Sequence, residues 1–542
     1  MNRAAAKPRL ALLLDRLWVA VVLSALYPTI FALSNNWYSI GTEKIIWLVA
    51  VSVAAGLAVY LLVEIVVAAI DSILAVVHPA ARDVWARFVR PSLFAAACAA
   101  ILFVLLAGTL EEPLRGRTGV EVAFAAATVG IGVLFAKGLQ RYFIMALGLL
   151  IMLATGSGLL SFGEYLVSTP ATAKRIARKG ALELAKFAER PNIYLFIYDA
   201  YGSEAAYRKV FGYDNSPHYR ALGRRGFKVV HTFSNYWATW PTTLGVFLGS
   251  HHYYGMSSGV DDTKFGRKIM AGLAHNPVFE TLRSNGYRIQ QIHGIDYFVT
   301  ERGKLDYLFP EEPVFSTLKI YSSPVVTALF GKENVEAGGR SIEKQREVLF
   351  SHLPDPPAPA VHPWLTFSHV NLPKHGPTSK NWLALEGFEK DFVQSTVRAN
   401  EHMLAVMDAI AAKDPGAIVV IIGDHGAWRY RNVWTLDADP NRAFEKAGVE
   451  PEIVAYDIFG VMIAVRSADR CDDYVYPGVT PVNVMRVVFA CLARDPKLLE
   501  SRAGDVSLAR LRKQLWLAAK EGRALPQWQP YDRQKHDLVS VP

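Results

Sequence analysis

Five long apolar runs fill the first 165 or so residues and restrict the fold more than any other feature. Each run is close to the length that an α-helix needs to cross a hydrocarbon core about 30 Å thick. A cleaved signal peptide would account for only the first run. The sequence therefore predicts a transmembrane domain over residues 1–165, with about five helices at Leu17–Ser34, Ile45–Ile70, Leu93–Leu110, Val120–Ala136 and Tyr142–Phe162.

Charge supports a membrane location and predicts the orientation. The net charge of +9 suits an anionic partner, and no zinc-finger spacing or basic-aromatic surface favours nucleic acid over a bilayer. Because cytoplasmic loops are enriched in lysine and arginine, the N-terminus is expected in the cytoplasm and everything after Phe162 outside it. The basic residues concerned are Arg3, Lys7, Arg9 and Arg16, then Arg82, Arg87 and Arg90, then Lys137 and Arg141.

Two features near the membrane allow more than one interpretation. Glu64 lies deep in the second run, where a carboxylate either lines a polar groove for a lipid headgroup or pairs with a neighbouring helix. Residues 166–191 are expected to form a linker. Within it, Thr172–Arg190 has the pattern of a basic amphipathic helix, which either lies on an anionic membrane surface or is a solvated connection.

From Asn192 onward, apolar strands alternate with helical patterns, which predicts a second domain, 192–542, with a mostly parallel sheet covered on both faces. Cys471 and Cys491 could pair in an oxidising compartment, although three cysteines form no disulfide framework. The tail from about Leu525 is expected to be a surface strap. The expected strands are Ile193–Tyr198, Arg288–His293, Leu365–Val370, Ala417–Gly423 and Ala455–Ser467, and the expected helices include Glu389–Lys413 and Pro481–Arg494.

The strand Ala417–Gly423 is followed at once by Asp424 and His425, two residue types that bind metals. Open α/β sheets place ligand sites at the carboxyl ends of their strands, and Asp199 follows the strand Ile193–Tyr198 in the same way. A polar turn is the alternative for Asp424 and His425, because Asp-His-Gly is also favourable turn chemistry.

Thr239 precedes Pro241, and proline favours the first turn of a helix, so a short helix is expected from Pro241 to Leu248. A hydroxyl just ahead of that N-terminus lies where anions bind. If it also touched a metal held by Asp199, Asp424 and His425, it would become a nucleophile for phosphorus. A plain N-cap is the alternative for Thr239, and Thr242 and Thr243 are rival hydroxyls.

These segments, in this order, resemble the alkaline-phosphatase/sulfatase superfamily over roughly Asn192 to Pro496. The segments are a strand ending in Asp199, then Thr239-Trp-Pro-Thr, then His375-Gly-Pro, then Asp424-His425-Gly. Preceded by five apolar runs, the domain looks like the membrane-anchored branch, which contains lipoteichoic acid synthases, phosphoethanolamine transferases and phosphoglycerol transferases.

The resemblance implies an enzyme of a bacterial plasma membrane with its catalytic domain outside. It implies one divalent ion, zinc or manganese with magnesium possible, held by Asp199, Thr239, Asp424 and His425. Thr239 would be the nucleophile. His375 would bind the phosphate or assist the leaving group, with Asn371 and Lys374 as further substrate contacts, and a histidine in a surface turn is the alternative for His375.

The sequence also departs from the family's patterns. The transferases usually carry glutamate where Asp199 stands, and Thr239-Trp-Pro-Thr-Thr cannot supply the formylglycine of true sulfatases. The third segment, Asn371–His375, lacks the aspartate of two-metal phosphodiesterases, which favours a single ion. Protonation of the leaving group stays unassigned, with Lys374, His293, His251 and His252 as unranked candidates.

The function expected from the resemblance is a two-step transfer. A membrane phospholipid donates phosphoglycerol or phosphoethanolamine to Thr239, diacylglycerol leaves, and an envelope glycan or glycolipid hydroxyl takes the group. The alternatives are a membrane-bound phosphodiesterase or phosphatase, in which water replaces the acceptor, and a non-catalytic envelope-assembly protein.

Overall fold

The computed structural model describes most of the chain and divides it into two units, and all described residues up to Val167 belong to the first and all described residues from Ser168 onward to the second. The units are treated separately below. The residues described are 16–36, 42–78, 81, 84–110, 117–179, 182, 185–251, 276–293, 305–309, 342–354, 362–374, 388–430, 448–467, 471–510, 528–532 and 537–538.

Helices lie at all five predicted apolar runs. They are α1 (Leu17–Asn36), α2 (Thr42–Val77), α3 (Arg90–Leu110), which follows a π-helical turn at Trp85–Val89, α4 (Arg117–Ala136) and α5 (Gln140–Lys179). Within the described residues, three stretches are long and apolar enough to cross a membrane: Ile45–Val77, Trp85–Phe103 and Gln140–Leu160. The apolar parts of the other two helices, Leu17–Phe31 and Glu121–Ala136, are shorter. The described residues thus contain a helix at each of the five predicted runs, and three of these helices are long and apolar enough to cross a membrane.

Glu64 pairs with a neighbouring helix. Arg90, the first residue of α3, donates to both carboxylate oxygens of Glu64 at 3.3 and 3.2 Å. Tyr60, one turn earlier in α2, donates its hydroxyl to the same carboxylate at 2.9 Å. Of the two interpretations of Glu64, the structure therefore has the paired one.

The predicted linker helix at Thr172–Arg190 is only partly correct. Helix α5 continues without a break to Lys179, and residues 185–191 are not helical. The backbone N–H of Phe187 donates to Asn285 Oδ1 at 2.8 Å, and Asn285 Nδ2 donates to the Ala185 carbonyl at 2.7 Å. Because Asn285 binds these backbone groups directly, this part of the second unit has a non-helical conformation and packs against the residues around Asn285.

The second unit contains a seven-stranded sheet with the strand order β2-β7-β6-β1-β5-β3-β4. All pairings are parallel except those of β7, which runs antiparallel to both β6 and β2, so the sheet is mostly parallel as predicted. The strands are β1 (Ile193–Tyr198), β2 (Lys228–Phe233), β3 (Arg288–Ile292), β4 (Tyr307–Phe309), β5 (Trp364–Val370), β6 (Ile418–Gly423) and β7 (Gly460–Arg466).

Helices cover both faces of this sheet. Alternate residues of β1 enter two separate apolar cores, with Ile193, Leu195 and Ile197 in one and Tyr194, Phe196 and Tyr198 in the other. A strand buried on both faces must be apolar at every position, which explains the unbroken apolar runs in β1 and β6. The helices are α6 (Glu204–Phe211), α7 (Ser216–Gly223), α8 (Thr239–Leu248), α9 (Pro277–Ser284), α10 (Ile342–Ser351), α11 (Phe388–Lys413), α12 (Pro451–Phe459) and α13 (Pro481–Ala493).

The register of the three central strands sets the position of the site. Tyr198, the last residue of β1, pairs with Val370 of β5 and with Gly423 of β6. The three strands therefore end at the same level, and the residues that follow them start from one edge of the sheet.

Two C-terminal predictions need correction. The predicted strand Ala455–Ser467 is a helix in its first part, because Pro451 starts α12 at a position where proline is favoured, and the strand begins only at Gly460. The tail is more than a strap. Ser507–Arg510 (β8), Trp528–Asp532 (β9) and Asp537–Leu538 (β10) form a small antiparallel sheet.

Cys471 and Cys491 are joined by a disulfide. Cys471 directly precedes the short 3₁₀ helix Asp472–Tyr474, and Cys491 lies in α13, so the bond joins these two helices. The pairing that the sequence left open is therefore present in the structure.

Candidate metal centre and nucleophile

Asp424 is placed by the end of β6 and held by backbone donors. A Cβ on the preceding Gly423 would lie 2.0 Å from the Tyr201 carbonyl oxygen, so only glycine allows this close approach. Asp424 Oδ1 accepts hydrogen bonds from the backbone N–H of Ala200 at 2.9 Å and of His425 at 2.8 Å. Its other oxygen, Oδ2, is buried and has no hydrogen-bond partner among the described residues.

Asp199 faces this carboxylate from the end of β1. Its backbone N–H donates to the Val370 carbonyl at 3.0 Å, which ties it to β5. Its side chain is 5% exposed, and Oδ1 has no hydrogen-bond partner in the part of the chain that the structure describes. Two buried carboxylates thus each direct one unsatisfied oxygen into the same region.

The electrostatics of the pair favour a cation. Burial, followed by the charge of Asp424, raises the pKa of Asp199 well above its ordinary value, although Lys374 opposes the shift. Burial also raises the pKa of Asp424, and His369 and the Thr239 hydroxyl oppose that shift. A positive charge between the two carboxylates would remove the repulsion between them.

His425 presents one ring nitrogen to both carboxylates. Its Nδ1 lies 2.7 Å from the Gly426 carbonyl oxygen, which can only accept, so Nδ1 carries a hydrogen. Its Nε2 lies 3.4 Å from Asp199 Oδ1 and 3.5 Å from Asp424 Oδ2. A histidine that ligates a metal usually donates its other ring N–H to such a group, which fixes the ring.

These three side chains fit a divalent metal. One ligand atom each from Asp199, Asp424 and His425 lie within 4.8 Å of one another, and all three residues are buried. Carboxylate oxygens with one imidazole nitrogen suit zinc, manganese and magnesium. The unsatisfied oxygens are therefore those expected of metal ligands.

Thr239 brings a hydroxyl to this cluster from α8. The prediction that this helix starts at Pro241 is wrong by two residues, because the N–H of Thr242 already bonds to the Ala238 carbonyl at 3.2 Å. Pro241 sits inside the first turn, where its missing N–H leaves no intrahelical bond unmade. The N-cap residue is Ala238, which makes no side-chain cap bond, so the alternative of Thr239 as a plain N-cap is also wrong.

The hydroxyl of Thr239 lies 3.1 Å from His425 Nε2, and it opposes the rise that burial causes in the pKa of Asp424. Thr242 instead donates to the Tyr236 carbonyl at 3.4 Å. Thr243 is fully buried, and its hydroxyl has no hydrogen-bond partner among the described residues. Of the three hydroxyls, Thr239 is therefore the one that joins the ligand cluster.

The third segment is described only in part. Lys374 donates its backbone N–H to the Asp199 carbonyl at 3.1 Å and has a positive φ of 72°. Its ammonium lowers the pKa of Asp199, so it contributes positive charge beside the cluster. Asn371 follows β5 and is half-buried. His375 lies outside the described residues, and its expected role stays a prediction.

The other candidate proton donors bond elsewhere. His293 Nε2 lies 3.1 Å from Gln291 Oε1, and its Nδ1 accepts the backbone N–H of His369 at 3.1 Å. His251 Nε2 lies 2.7 Å from the Gly504 carbonyl oxygen. His252 is outside the part of the chain that the structure describes.

Two residues near the cluster were not identified from the sequence. His369, the penultimate residue of β5, is buried, and its pKa is lowered to about 4 by burial, with Asp424 opposing and His425 reinforcing the shift. The sequence places His369 next to the end of a predicted strand, where site residues are expected, so it could have been included among the candidates. Trp428 stacks on the His425 ring with centroids 4.5 Å apart and an interplanar angle of 14°. Nothing in the sequence indicated that Trp428 would stack on His425.

Comparisons with known proteins give structural but not sequence matches. No protein-family profile matches the chain, and no curated protein matches it by sequence. The integral membrane lipooligosaccharide phosphoethanolamine transferase A of Neisseria meningitidis is 12% identical, with a TM-score of 0.36 over 88% of this chain and 95% of that one.

Two further solved structures are similar to part of the chain. The C-terminal periplasmic domain of EptC from Escherichia coli, in complex with zinc, is 10% identical, with a TM-score of 0.33 over 57% of this chain and 84% of that one. The phosphoglycerol transferase GacH of Streptococcus pyogenes, in complex with sn-glycerol-1-phosphate, is 10% identical, with a TM-score of 0.36 over 62% and 84%.

Because every one of these TM-scores is below 0.5, the proposals that follow depend on the geometry of the site itself.

Proposed function

We propose that the protein is a metal-dependent transferase that moves a phospholipid headgroup, phosphoglycerol or phosphoethanolamine, through a phosphothreonine at Thr239 to a hydroxyl of an envelope glycan or glycolipid. One observation carries the proposal. The Thr239 hydroxyl joins a buried cluster of two carboxylates and an imidazole, in which one oxygen of each carboxylate has no hydrogen-bond partner among the described residues.

Asp199, Asp424 and His425 would hold one divalent cation, with Thr239 as the fourth ligand. When bound, the cation would lower the pKa of the threonine hydroxyl and stabilise negative charge on the phosphoryl oxygens. Zinc and manganese both suit this ligand set, and magnesium is compatible with it.

The chain's own residues orient the nucleophile. The hydrogen bond from the Thr239 hydroxyl to His425 Nε2 fixes the direction of Oγ1, and the Asp424 carboxylate belongs to the same cluster. Thr239 is also the first residue of α8, so the positive end of the helix dipole favours an anionic phosphoryl group there. Lys374 adds positive charge on the side of Asp199.

The proposed reaction has two balanced halves. Oγ1 of Thr239 attacks the phosphorus of the phospholipid, the bond from phosphorus to the diacylglycerol oxygen breaks, and diacylglycerol leaves with a proton. An acceptor hydroxyl then attacks the same phosphorus, the bond to Oγ1 breaks, and Thr239 regains its proton while the acceptor keeps the headgroup.

A membrane anchor and an extracytoplasmic active site fit this chemistry. With the five crossings expected from the sequence, the second unit would lie on the side opposite the basic N-terminus, and Arg82, Arg87 and Arg90 would be cytoplasmic. The disulfide Cys471–Cys491 supports an oxidising compartment for the second unit. The proposed location is therefore a bacterial plasma membrane, with the catalytic unit outside.

The test uses full-length protein in detergent micelles with a phospholipid that carries ³²P in its headgroup, a divalent ion, and no acceptor. Release of diacylglycerol and acid-stable label on the protein are expected. Thr239→Ala should lose both, and Thr242→Ala, which removes a hydroxyl of the same helix outside the cluster, should keep both.

Other outcomes contradict the proposal in different ways. Label retained by Thr239→Ala would exclude this nucleophile. Free headgroup released at an undiminished rate when an acceptor glycolipid is added, with no labelled acceptor, would indicate a phosphodiesterase. No turnover with zinc, manganese or magnesium, together with no metal binding, would favour a non-catalytic role.

A further inference from the structure

Trp428 has an unusual backbone for a bulky residue. Its φ is +65°, in the left-handed region that a large side chain rarely adopts because the backbone is strained there. Its ring is stacked almost parallel to that of His425, and the side chain is only 8% exposed. A strained residue in contact with a candidate metal ligand needs a source of support elsewhere in the structure.

Asp457 of α12 provides that support. Its two carboxylate oxygens accept the backbone N–H groups of Arg429 at 3.0 Å and Tyr430 at 2.7 Å. Its carbonyl oxygen accepts the N–H of Trp428 at 3.4 Å. Three consecutive backbone donors after the Asp424-His425-Gly426 segment are thus bound to a single residue.

The indole of Trp428 also reaches the segment that leads to the nucleophile. Its Nε1 donates to the carbonyl of Trp237 at 2.6 Å, and the two indole rings lie 5.3 Å apart. Trp237 stands two residues before Thr239, at the entry to α8. One side chain therefore contacts both the imidazole and the backbone that delivers the hydroxyl.

We propose that Trp428, held by Asp457, is a positioning residue that fixes the His425 imidazole plane and the entry to α8, and thereby sets the affinity of the site for its divalent cation. The inference deepens the proposed function and depends on the metal centre described above. Groups that orient a metal-binding histidine typically contribute 10–100-fold to metal affinity. The hydrogen bond from His425 Nδ1 to the Gly426 carbonyl and the stacked indole of Trp428 together restrict rotation of the imidazole ring.

The competing explanation is simple packing, because Trp428 belongs to an apolar cluster with Trp237, Val454 and Ile458. A packing role would lower the thermal stability of the variant but leave the cation affinity of the folded protein unchanged. Metal affinity, measured without phospholipid, therefore separates the two explanations.

The experiment measures Co²⁺ affinity of the metal-free, full-length protein from the visible absorption of the bound ion, with thermal unfolding of each variant as the check on folding. Trp428→Gly removes the ring and suits the positive φ, and it should weaken Co²⁺ binding by about 10–100-fold. Trp428→Phe keeps a stacked ring without the indole N–H and should retain most of the affinity. Trp364→Ala, at the opposite end of β5 from the site, is the matched control and should bind as the wild type does.

Unchanged affinity in folded Trp428→Gly would overturn the inference, and so would equal weakening in Trp428→Gly and Trp428→Phe. If Trp428→Gly does not fold, Trp428→Leu, which keeps an apolar side chain without a π-face, replaces it with the same expected loss. Asp199→Asn separates this test from the test of the metal centre. If Asp199→Asn abolishes Co²⁺ binding and Trp428→Gly leaves the affinity unchanged, only the positioning role fails, whereas unchanged binding in Asp199→Asn would remove the metal centre itself.

Discussion

The carboxyl groups of Asp199 and Asp424 lie close together in a buried site, and this arrangement lowers the stability of the metal-free fold. Burial raises the pKa of both, and the charge of Asp424 adds to the shift at Asp199. Packing alone would not retain such a pair, since apolar residues of similar volume would stabilise the metal-free protein. The cost of keeping the pair buried supports the proposed role of the two carboxylates as metal ligands.

Replacement of one carboxylate should therefore stabilise the metal-free protein. The folded-state pKa of Asp199 is raised, so the folded protein holds a proton that the unfolded chain releases near pH 4, and stability falls as pH rises from there towards the raised pKa. Asp199→Asn removes that fall. At pH 7 and with EDTA we expect a gain on the order of 1 kcal/mol in the free energy of unfolding, measured by thermal unfolding between pH 5 and 8.

The same variant should lose the stabilisation that added Zn²⁺ or Mn²⁺ gives the wild type. Asp408→Asn is the matched control, because the guanidinium of Arg225 lowers the pKa of this exposed carboxyl and its loss should not stabilise the protein. A decrease in metal-free stability for Asp199→Asn, or a metal response equal to that of the wild type, would contradict the interpretation of this pair as metal ligands.

At the scale of single elements, the end of β6 depends on two close backbone contacts. A Cβ on Gly423 would lie 2.0 Å from the Tyr201 carbonyl oxygen, and one on Gly426 would lie 1.9 Å from the Asp457 carbonyl oxygen. Both obstacles are backbone atoms, which cannot move aside as a flexible side chain could. The two glycines therefore bracket the ligands Asp424 and His425 with contacts that no other residue permits.

Gly426→Ala should accordingly destabilise the second unit by about 1–3 kcal/mol or more, and weaken metal binding, because the strand end must move away from α12. The measurements are thermal unfolding and Co²⁺ titration. Gly223→Ala is the control, since a Cβ there meets nothing within 4 Å, and it should be neutral or slightly stabilising. A Gly426→Ala protein that unfolds with the wild type would show that the strand end tolerates the shift.

Sequence patterns predicted the elements better than their junctions. The apolar runs of β1 and β6 and the residues Asp199, Asp424 and His425 that follow them were recognisable because a doubly buried strand has a distinctive composition. The start of α8 was placed two residues late, because proline is acceptable at more than one position of a first turn. The support of Trp428 by Asp457 could not be foreseen, since nothing local to Trp428 indicates which later helix binds its backbone.

At the scale of the whole molecule, the two units differ in the oxidation state of their cysteines. Cys471 and Cys491 are bonded in the second unit, and Cys98 is a buried free thiol in the first. If the second unit lies outside the cytoplasm, the bond forms in an oxidising compartment and persists there.

Thiol counting on the protein as isolated from membranes tests this. After denaturation without reductant, one of the three cysteines should react with a maleimide, and all three should react after reduction. Replacement of Cys471 and Cys491 by alanine should lower the stability of the second unit by about 3 kcal/mol, as expected for closing a loop of this size. Three reactive thiols before reduction would place the unit in a reducing compartment and contradict the proposed topology.

The central position of β1 has a consequence for the nascent protein. The hydrogen bond from Ala200 to Asp424 joins residues 224 positions apart, and β1 pairs with nothing that precedes it in the sheet. During synthesis from the N-terminus, both hydrogen-bonding edges of an entirely apolar strand must therefore wait, uncovered, until β5 and β6 arrive. Such edges promote aggregation. If the second unit is exported as proposed, β1 crosses the membrane before the strands that cover its two edges, and a polypeptide cut short before β6 would lack one of them.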